Sequence, residues 1–334
     1  MAFIAWTDIE SFHNVKKNTK KYSEILNGNA IVTYRAKIKL HGTCGGIQIH
    51  SDGRVIAQSR NQELINGEDN AGFAKWVESN KDKWASIADD TDEEYIIFGE
   101  WIGPSIQSGV ACNKITKKSF AVFAARHLNI EDDTLIIQPY ILQDLVKNIP
   151  DTYVLPWHNI ALEVNWNNSS EQLTSNVNII NDWVMEVEKN DPWVENVFGV
   201  AGTGEGLVFY PCSKEHLGLK SFKNLVFKAK GEKHKNIKTA SPAQVNPEMA
   251  VGINEFVDMV LSQSRLEQGA SFVGSKDGSI CFDIKLIGKF IAWIIFDVKK
   301  ETKDELEISN LTWDQVNKTI TNVSRSWYLE KCKE

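Results

Sequence analysis

The sequence predicts an α+β fold: a strand-rich domain followed by a small, mainly α-helical C-terminal domain. Strand-like and helix-like segments mix over the first 230 residues without alternating as regular β-α-β units, which excludes a doubly wound sheet. A polar, basic stretch with two prolines follows at residues 231–247 and reads as a linker. Beyond it the apolar spacing becomes helical. The expected domains are residues 1–234 and 235–334.

The elements follow in order. Ile31–Lys39 (IVTYRAKIK) is rich in β-branched residues and partly alternating, as a strand is. Residues 47–50 and 55–58 are two short strands around Ser51-Asp52-Gly53-Arg54, and the Asp-Gly pair predicts a hairpin. Residues 70–88 place Phe73, Trp76, Val77 and Trp84 near helical spacing. Residues 95–100 (YIIFGE) and 119–125 (SFAVFAA) are apolar strands. Ser170 is placed to cap a helix over 171–188. Residues 206–210 (GLVFY) and 225–229 (LVFKA) complete the strands. In the C-terminal part, 249–267 and 312–331 predict helices, the second capped by Thr312, and the strongly apolar 280–298 predicts a buried helix.

Bulk properties narrow the classes. With 42% hydrophobic and 24% charged residues the chain is an ordinary globular one rather than a disordered or fibrous one. No apolar run is long enough to cross a bilayer, and the N-terminus lacks a basic region followed by an apolar core. The five cysteines are scattered, without a C-x-x-C pair, so neither a disulfide framework nor a zinc site is expected. An intracellular, cytoplasmic setting and no membrane partner are expected. The net charge of −7 excludes a chain that is basic throughout, yet residues 214–238 hold eight lysines against two glutamates. Read alone, that run describes a solvated face. In context it also describes a local phosphate-binding surface.

Candidate chemistry centres on Lys39-Leu40-His41-Gly42-Thr43. A lysine that ends a strand before a glycine turn presents its amine where backbone can approach a phosphate. A single K-x-H-G match is weak, because lysines are mostly exposed surface residues. Four further segments add weight: Arg60 after the hairpin, Glu100 in FGEW, Glu205 in GEGLV, and Lys228 with Lys230 in FKAK. Lys228 and Lys230 are two apart on a strand and share a face. Each has a plain structural reading as a surface charge or turn residue; their order along the chain is harder to dismiss.

Taken together, KLHG (39–42), FGEW (98–101), SFAVF (119–123), GEGLVF (204–209) and LVFKAK (225–230) resemble the five collinear motifs of the covalent nucleotidyltransferases: ATP-dependent DNA ligases, RNA ligases and mRNA capping enzymes. The chain looks most like the RNA ligase 2 family of phage and trypanosome RNA-editing enzymes. Histidine in the third place of KLHG and helices, rather than a five-stranded barrel, after the last motif distinguish that family from DNA ligases and capping guanylyltransferases. His41-Gly42-Thr43, Gly103-Pro104 and Ile106-Gln107 are additional matches.

The resemblance implies an antiparallel-sheet nucleotidyltransferase (ATP-grasp-like ligase) domain and a C-terminal domain that engages RNA. It implies ATP as AMP donor, Mg²⁺ or Mn²⁺ as cofactor, and a monomer acting on RNA 3′-OH and 5′-phosphate ends at duplex nicks. By residue, Lys39 is the adenylated nucleophile. The backbone of Ile38 reads adenine, Phe123 stacks on it, Glu100 binds ribose, and Arg60 contacts sugar or phosphate. Lys228 and Lys230 hold the α-phosphate, and Glu205, with Glu100 and His41, supports the metal. Ile38, Cys44 and Ala124 depart from the acidic residue, asparagine and aspartate that many relatives carry. Lys37 competes with Lys39 by proximity, but the glycine three residues on selects Lys39. Arg265 and Lys285 are candidates for phosphate contacts in the C-terminal domain, although for each alone a plain structural role is the stronger reading. The alternatives are a DNA ligase or capping guanylyltransferase using the same lysine, and a catalytically silent RNA-binding relative.

Overall fold

The computed structural model describes residues 3–26, 28–64, 70–128, 134–231, 253–276, 279–302, 306 and 311–333. The chain divides into two compact units, Met1–Gly231 and Glu232–Glu334.

The strands of the first unit are β1 (Glu10–Ser11), β2 (Ile31–Lys39), β3 (Thr43–Ile49), β4 (Val55–Ser59), β5 (Tyr95–Ile102), β6 (Ser119–His127), β7 (Leu135–Ile136), β8 (Thr152–Val154), β9 (His158–Asn165), β10 (Gly206–Pro211) and β11 (Phe227–Lys230). They form two sheets, ordered β1-β11-β10-β2-β9 and β4-β3-β5-β6-β7, with β8 added beside β6. Pairing is antiparallel except at β1–β11 and β6–β8. The α+β architecture with antiparallel sheets and C-terminal helices is therefore as the sequence predicts.

One apolar cluster joins the sheets: Ile38 and Leu207 from the first, Ile96, Phe98 and Phe123 from the second. The other face of the second sheet, including Ile47, Ile97, Trp101 and Phe120, buries against helices Phe73–Ser79, Lys81–Thr91 and Pro139–Val146. The second sheet is thus covered on both faces, which explains why β6 reads as a continuous apolar run.

Several boundaries differ from expectation. The segment 70–88 is a short 3-10 turn and two helices that part at Asn80, whose side chain bonds the Trp76 carbonyl. Ser170 does not cap; Ser169 and Gln172 bond each other in a turn, and the helix begins at Thr174. Leu225 ends helix Leu219–Leu225, and the last strand starts at Phe227. Most of the expected linker, 232–247, lies outside the described residues.

The second unit holds helices Ile253–Val260, Gln263–Gly274, Ile287–Glu301 and Trp313–Lys331 around its own core of Phe256, Val260, Leu266, Phe290, Ile294 and Ile320. The helix expected over 249–267 breaks after Val260, and the apolar segment 280–298 becomes helical only from Ile287, behind a 3-10 turn. Arg265 corrects the phosphate expectation. It is 0% exposed, with Nε donating to Asp297 at 2.8 Å and another guanidinium nitrogen donating to the Val260 carbonyl. Its charge is used inside the core, whereas Lys285 is exposed. No helix among the described residues is long and apolar enough to cross a membrane.

Candidate active site

Strand register builds the site. Lys39 on β2 pairs with Gly206 on β10, which pairs with Lys230 on β11. The next row on the same face is Lys37, Val208 and Lys228. Glu205, immediately before β10, is 3% exposed and receives three groups. Lys39 Nζ lies 2.7 Å from Oε2, His41 Nδ1 3.5 Å from the same oxygen, and Lys230 Nζ 3.2 Å from Oε1. Burial alone would raise the Glu205 carboxyl, but Lys39, Lys230 and His41 outweigh it and hold it well below the usual carboxylate range.

Glu100 behaves oppositely. Burial pushes it up to about 7, with the Glu205 charge adding to the rise against the opposing pull of Lys39. Its Oε1 accepts the Gly42 N–H at 2.9 Å. Gly42 has no room for a side chain: a Cβ there would lie 2.3 Å from the Trp101 carbonyl oxygen. The glycine of KLHG is therefore the position where the turn after β2 meets the end of β5. Gln107 donates to the Gly42 carbonyl at 3.4 Å, bringing one of the additional sequence matches to the same turn.

The two neighbouring lysines separate by environment. The Lys39 side chain is 22% exposed and reaches the carboxylate; Lys37 is 0% exposed. Lys37 Nζ donates to the Phe123 carbonyl at 2.8 Å. The thiols of Cys44 and Cys112, beside the site, are pushed up to about 12 by burial and stay protonated.

Lys39, His41, Glu205 and Lys230 are thus in direct contact, and Glu100 joins them through Gly42. Phe123 faces the cluster shared by the two sheets, Ile38 lies between the two lysines on β2, and Lys228 sits one row from Lys230. Arg60 is engaged elsewhere, by an ion pair with Asp8 of the N-terminal segment. That segment was not legible as part of the site. It also sets the Trp6 ring against Phe98 and Phe123, at 5.0 and 4.9 Å between centroids.

A divalent ion fits this donor set, because Glu100 is a partly buried carboxyl raised by desolvation and by the Glu205 charge, and a cation would relieve both. Among the described residues no three acidic, histidine or cysteine groups cluster as a closed metal cage. The fit is to an ion that keeps waters and takes one or two carboxylates, as magnesium does.

A strand-end lysine paired to a buried glutamate, in a domain of two largely antiparallel sheets, is the arrangement expected of the nucleotidyltransferase class. A family model described as RNA ligase matches residues 33–230, more than half of the chain. The chain belongs to the RNA ligase family. Among solved structures, one alanine mutant of a Naegleria gruberi RNA ligase with ATP and Mn is 21% identical, with TM-score 0.44, covering 70% of this chain and 58% of that one. Another, also with ATP and Mn, is 23% identical with TM-score 0.45 and the same coverages. The Naegleria gruberi enzyme with PPi is 22% identical with TM-score 0.44, covering 71% and 59%. The chain thus spans less than two thirds of the length of these relatives. No curated protein matches it.

Proposed function

We propose that this chain is an ATP-dependent RNA ligase that joins RNA 3′-OH and 5′-phosphate ends through a lysyl-AMP and an adenylated RNA, at nicks in duplex RNA. The observation that carries this reading is the contact set of Lys39, Glu205 and Lys230 in a chain of the RNA ligase family.

The Lys39 amine attacks the α-phosphorus of ATP. A P–N bond forms, the bond to the bridging oxygen breaks, and pyrophosphate leaves. Glu205 holds the Lys39 ammonium at rest, since a carboxylate at 2.7 Å favours the charged amine. A phosphate entering between Lys39 and Lys230 draws both amines from Glu205, and the neighbouring cations then favour loss of the Lys39 proton to solvent, leaving Glu205 ionised. Lys230 and Lys228 then face the charge that builds on the phosphorus. Glu205, with Glu100 and His41, would hold Mg²⁺ or Mn²⁺, which would supply further neutralisation there. Phe123 stacks on adenine, the Ile38 backbone reads its edge, and Glu100 and Arg60 take ribose and phosphate. In the next step an RNA 5′-phosphate oxygen attacks the same phosphorus and Lys39 leaves; a 3′-OH then attacks the RNA phosphate and AMP leaves. Residues 1–234 form the adenylyltransferase domain, and 235–334 engage RNA. Action as a monomer within the cytoplasm fits this reading.

The test is covalent labelling. With Mg²⁺ and labelled ATP or GTP, label from ATP alone is expected, and none on Lys39→Ala. Label persisting on Lys39→Ala sinks the assignment. Equal label from GTP favours the capping alternative, and preference for nicked DNA over nicked RNA overturns the RNA reading.

A further inference from the structure

Lys37 is a buried cation that the proposed chemistry does not use, and its surroundings are specific. It is one of the largest fully buried side chains in the protein. Its ammonium lies over two rings, 4.9 Å from the centroid of Trp157 and 5.7 Å from that of Tyr210. A lysine is almost never fully buried without a partner. Here the partner is one backbone carbonyl, that of Phe123, at 2.8 Å.

Phe123 is no ordinary strand residue. Along the β5–β6 ladder Phe98 pairs with Ala124 and Gly99 with Val122, so the register shifts and Phe123 is the extra residue, opposite nothing on β5. A bulge bends the strand and re-aims a side chain. It does so here: Phe120, Val122 and Ala125 face the helices, whereas Phe123 and Ala124 both face the apolar cluster between the sheets. A bulge residue is left out of ladder pairing, and a buried carbonyl needs a donor. Lys37 supplies it from the opposite sheet, and it stands in the register row next to that of Lys39.

We propose that Lys37 is a positioning residue: by holding the Phe123 carbonyl from the opposite sheet, it fixes the aromatic ring on which the nucleotide base stacks. This rests on the reading of Phe123 as the base platform. Lys37 itself does not touch the reacting atoms. The ring contacts the base alike in ground and transition states, so losing its orientation weakens ATP binding and leaves the chemical step intact.

The experiment is self-adenylation of the full chain over a range of ATP concentrations, with Lys37→Met retaining the bulk and removing the donor. The expected result is a rise in the KM for ATP of about 10-fold, in keeping with a buried acceptor left unpaired. The plateau rate stays within about 2-fold, because uniform binding is what is lost. In the reverse reaction the KM for pyrophosphate is expected to be unchanged, since pyrophosphate carries no base. In a Phe123→Leu background, Lys37→Met should add less than about 2-fold, because residues acting through one another are not additive. A plateau loss without a KM change, parallel loss of pyrophosphate affinity, or full additivity with Phe123→Leu would each overturn the inference. If Lys37→Met does not fold, Lys37→Leu, which likewise removes the donor, is read by the same criteria and should raise the KM for ATP. Absence of label on the unmodified chain would instead sink the adenylation reading itself.

Discussion

Two lysines two residues apart, and two glutamates serving one site, show how environment assigns roles. Lys39 meets a carboxylate and keeps partial access to solvent; Lys37 meets a carbonyl and two rings and has none. Burial pushes the Lys37 amine down to about 7. That shift has a signed consequence. Between its folded value and its unfolded value near 10.5 the unfolded chain binds more protons at this residue, so Lys37 makes the fold more stable as pH rises through that window. Below about 7 the full cost of burying the cation remains. Arg35 shares the Trp157 ring, and the nearby Cys212 thiol, pushed up to about 11 by burial, is neutral over most of the window. Lys37→Met removes this titration. Denaturant unfolding should therefore show the unmodified chain gaining on Lys37→Met between about pH 7 and about pH 9.5. A stability difference that does not move with pH, or that shrinks, would contradict the buried-cation account.

At the scale of elements, the N-terminal segment is the part least legible in the sequence. Its residues 3–9 form no helix or strand, yet the Ile4 carbonyl accepts from Gln58, Trp6 packs on Phe98 and Phe123, and Asp8 pairs with Arg60. These contacts span about fifty residues or more and leave no local period to read. Phe123 hid for another reason: β6 is buried on both faces, so no alternation marks the slip that turns its ring inward. By contrast β2 and the Asp52-Gly53 hairpin followed their β-branched and turn signals, and Gly53 takes the positive φ of 80° that the turn requires. The Asp8–Arg60 pair carries a prediction. If Arg60 binds a phosphate of the substrate, that phosphate must displace Asp8. Both side chains are about half exposed, and such a pair is worth roughly 0.2–1 kcal/mol. In AMP transfer to RNA that carries a terminal phosphate, Asp8→Asn should therefore tighten RNA binding by no more than about 5-fold, read as a lower KM for the RNA. Weaker RNA binding would mean that Asp8 orients Arg60 for the substrate instead.

At the scale of the whole molecule, each unit has an apolar core of its own. Among the described residues the first unit buries two apolar clusters, on the two faces of its second sheet, and the second unit buries a third. The change from mixed to helical spacing falls near the boundary after Gly231, and each pattern must bury its own apolar face. Arg265 takes the structural role instead of the phosphate one, and its partner was not legible: the carboxylate it meets, Asp297, arrives from another helix. Every residue of the Lys39–Glu205–Lys230 set lies in the first unit, as do the Lys37–Phe123 contact and the Asp8–Arg60 pair. The expectation for a chain truncated after Lys238 is therefore divided. Its self-adenylation should persist within a few-fold, since no side chain named in that step and no apolar cluster around it is removed. Sealing of nicked RNA should fail, since the proposal gives RNA engagement to the C-terminal unit. The two activities are read on one preparation, label from ATP for the first and joined product for the second. Undiminished sealing would move RNA recognition into the first unit. Loss of label would mean that the nucleotide step draws on the C-terminal unit, and the separation of labour between the units would have to be abandoned.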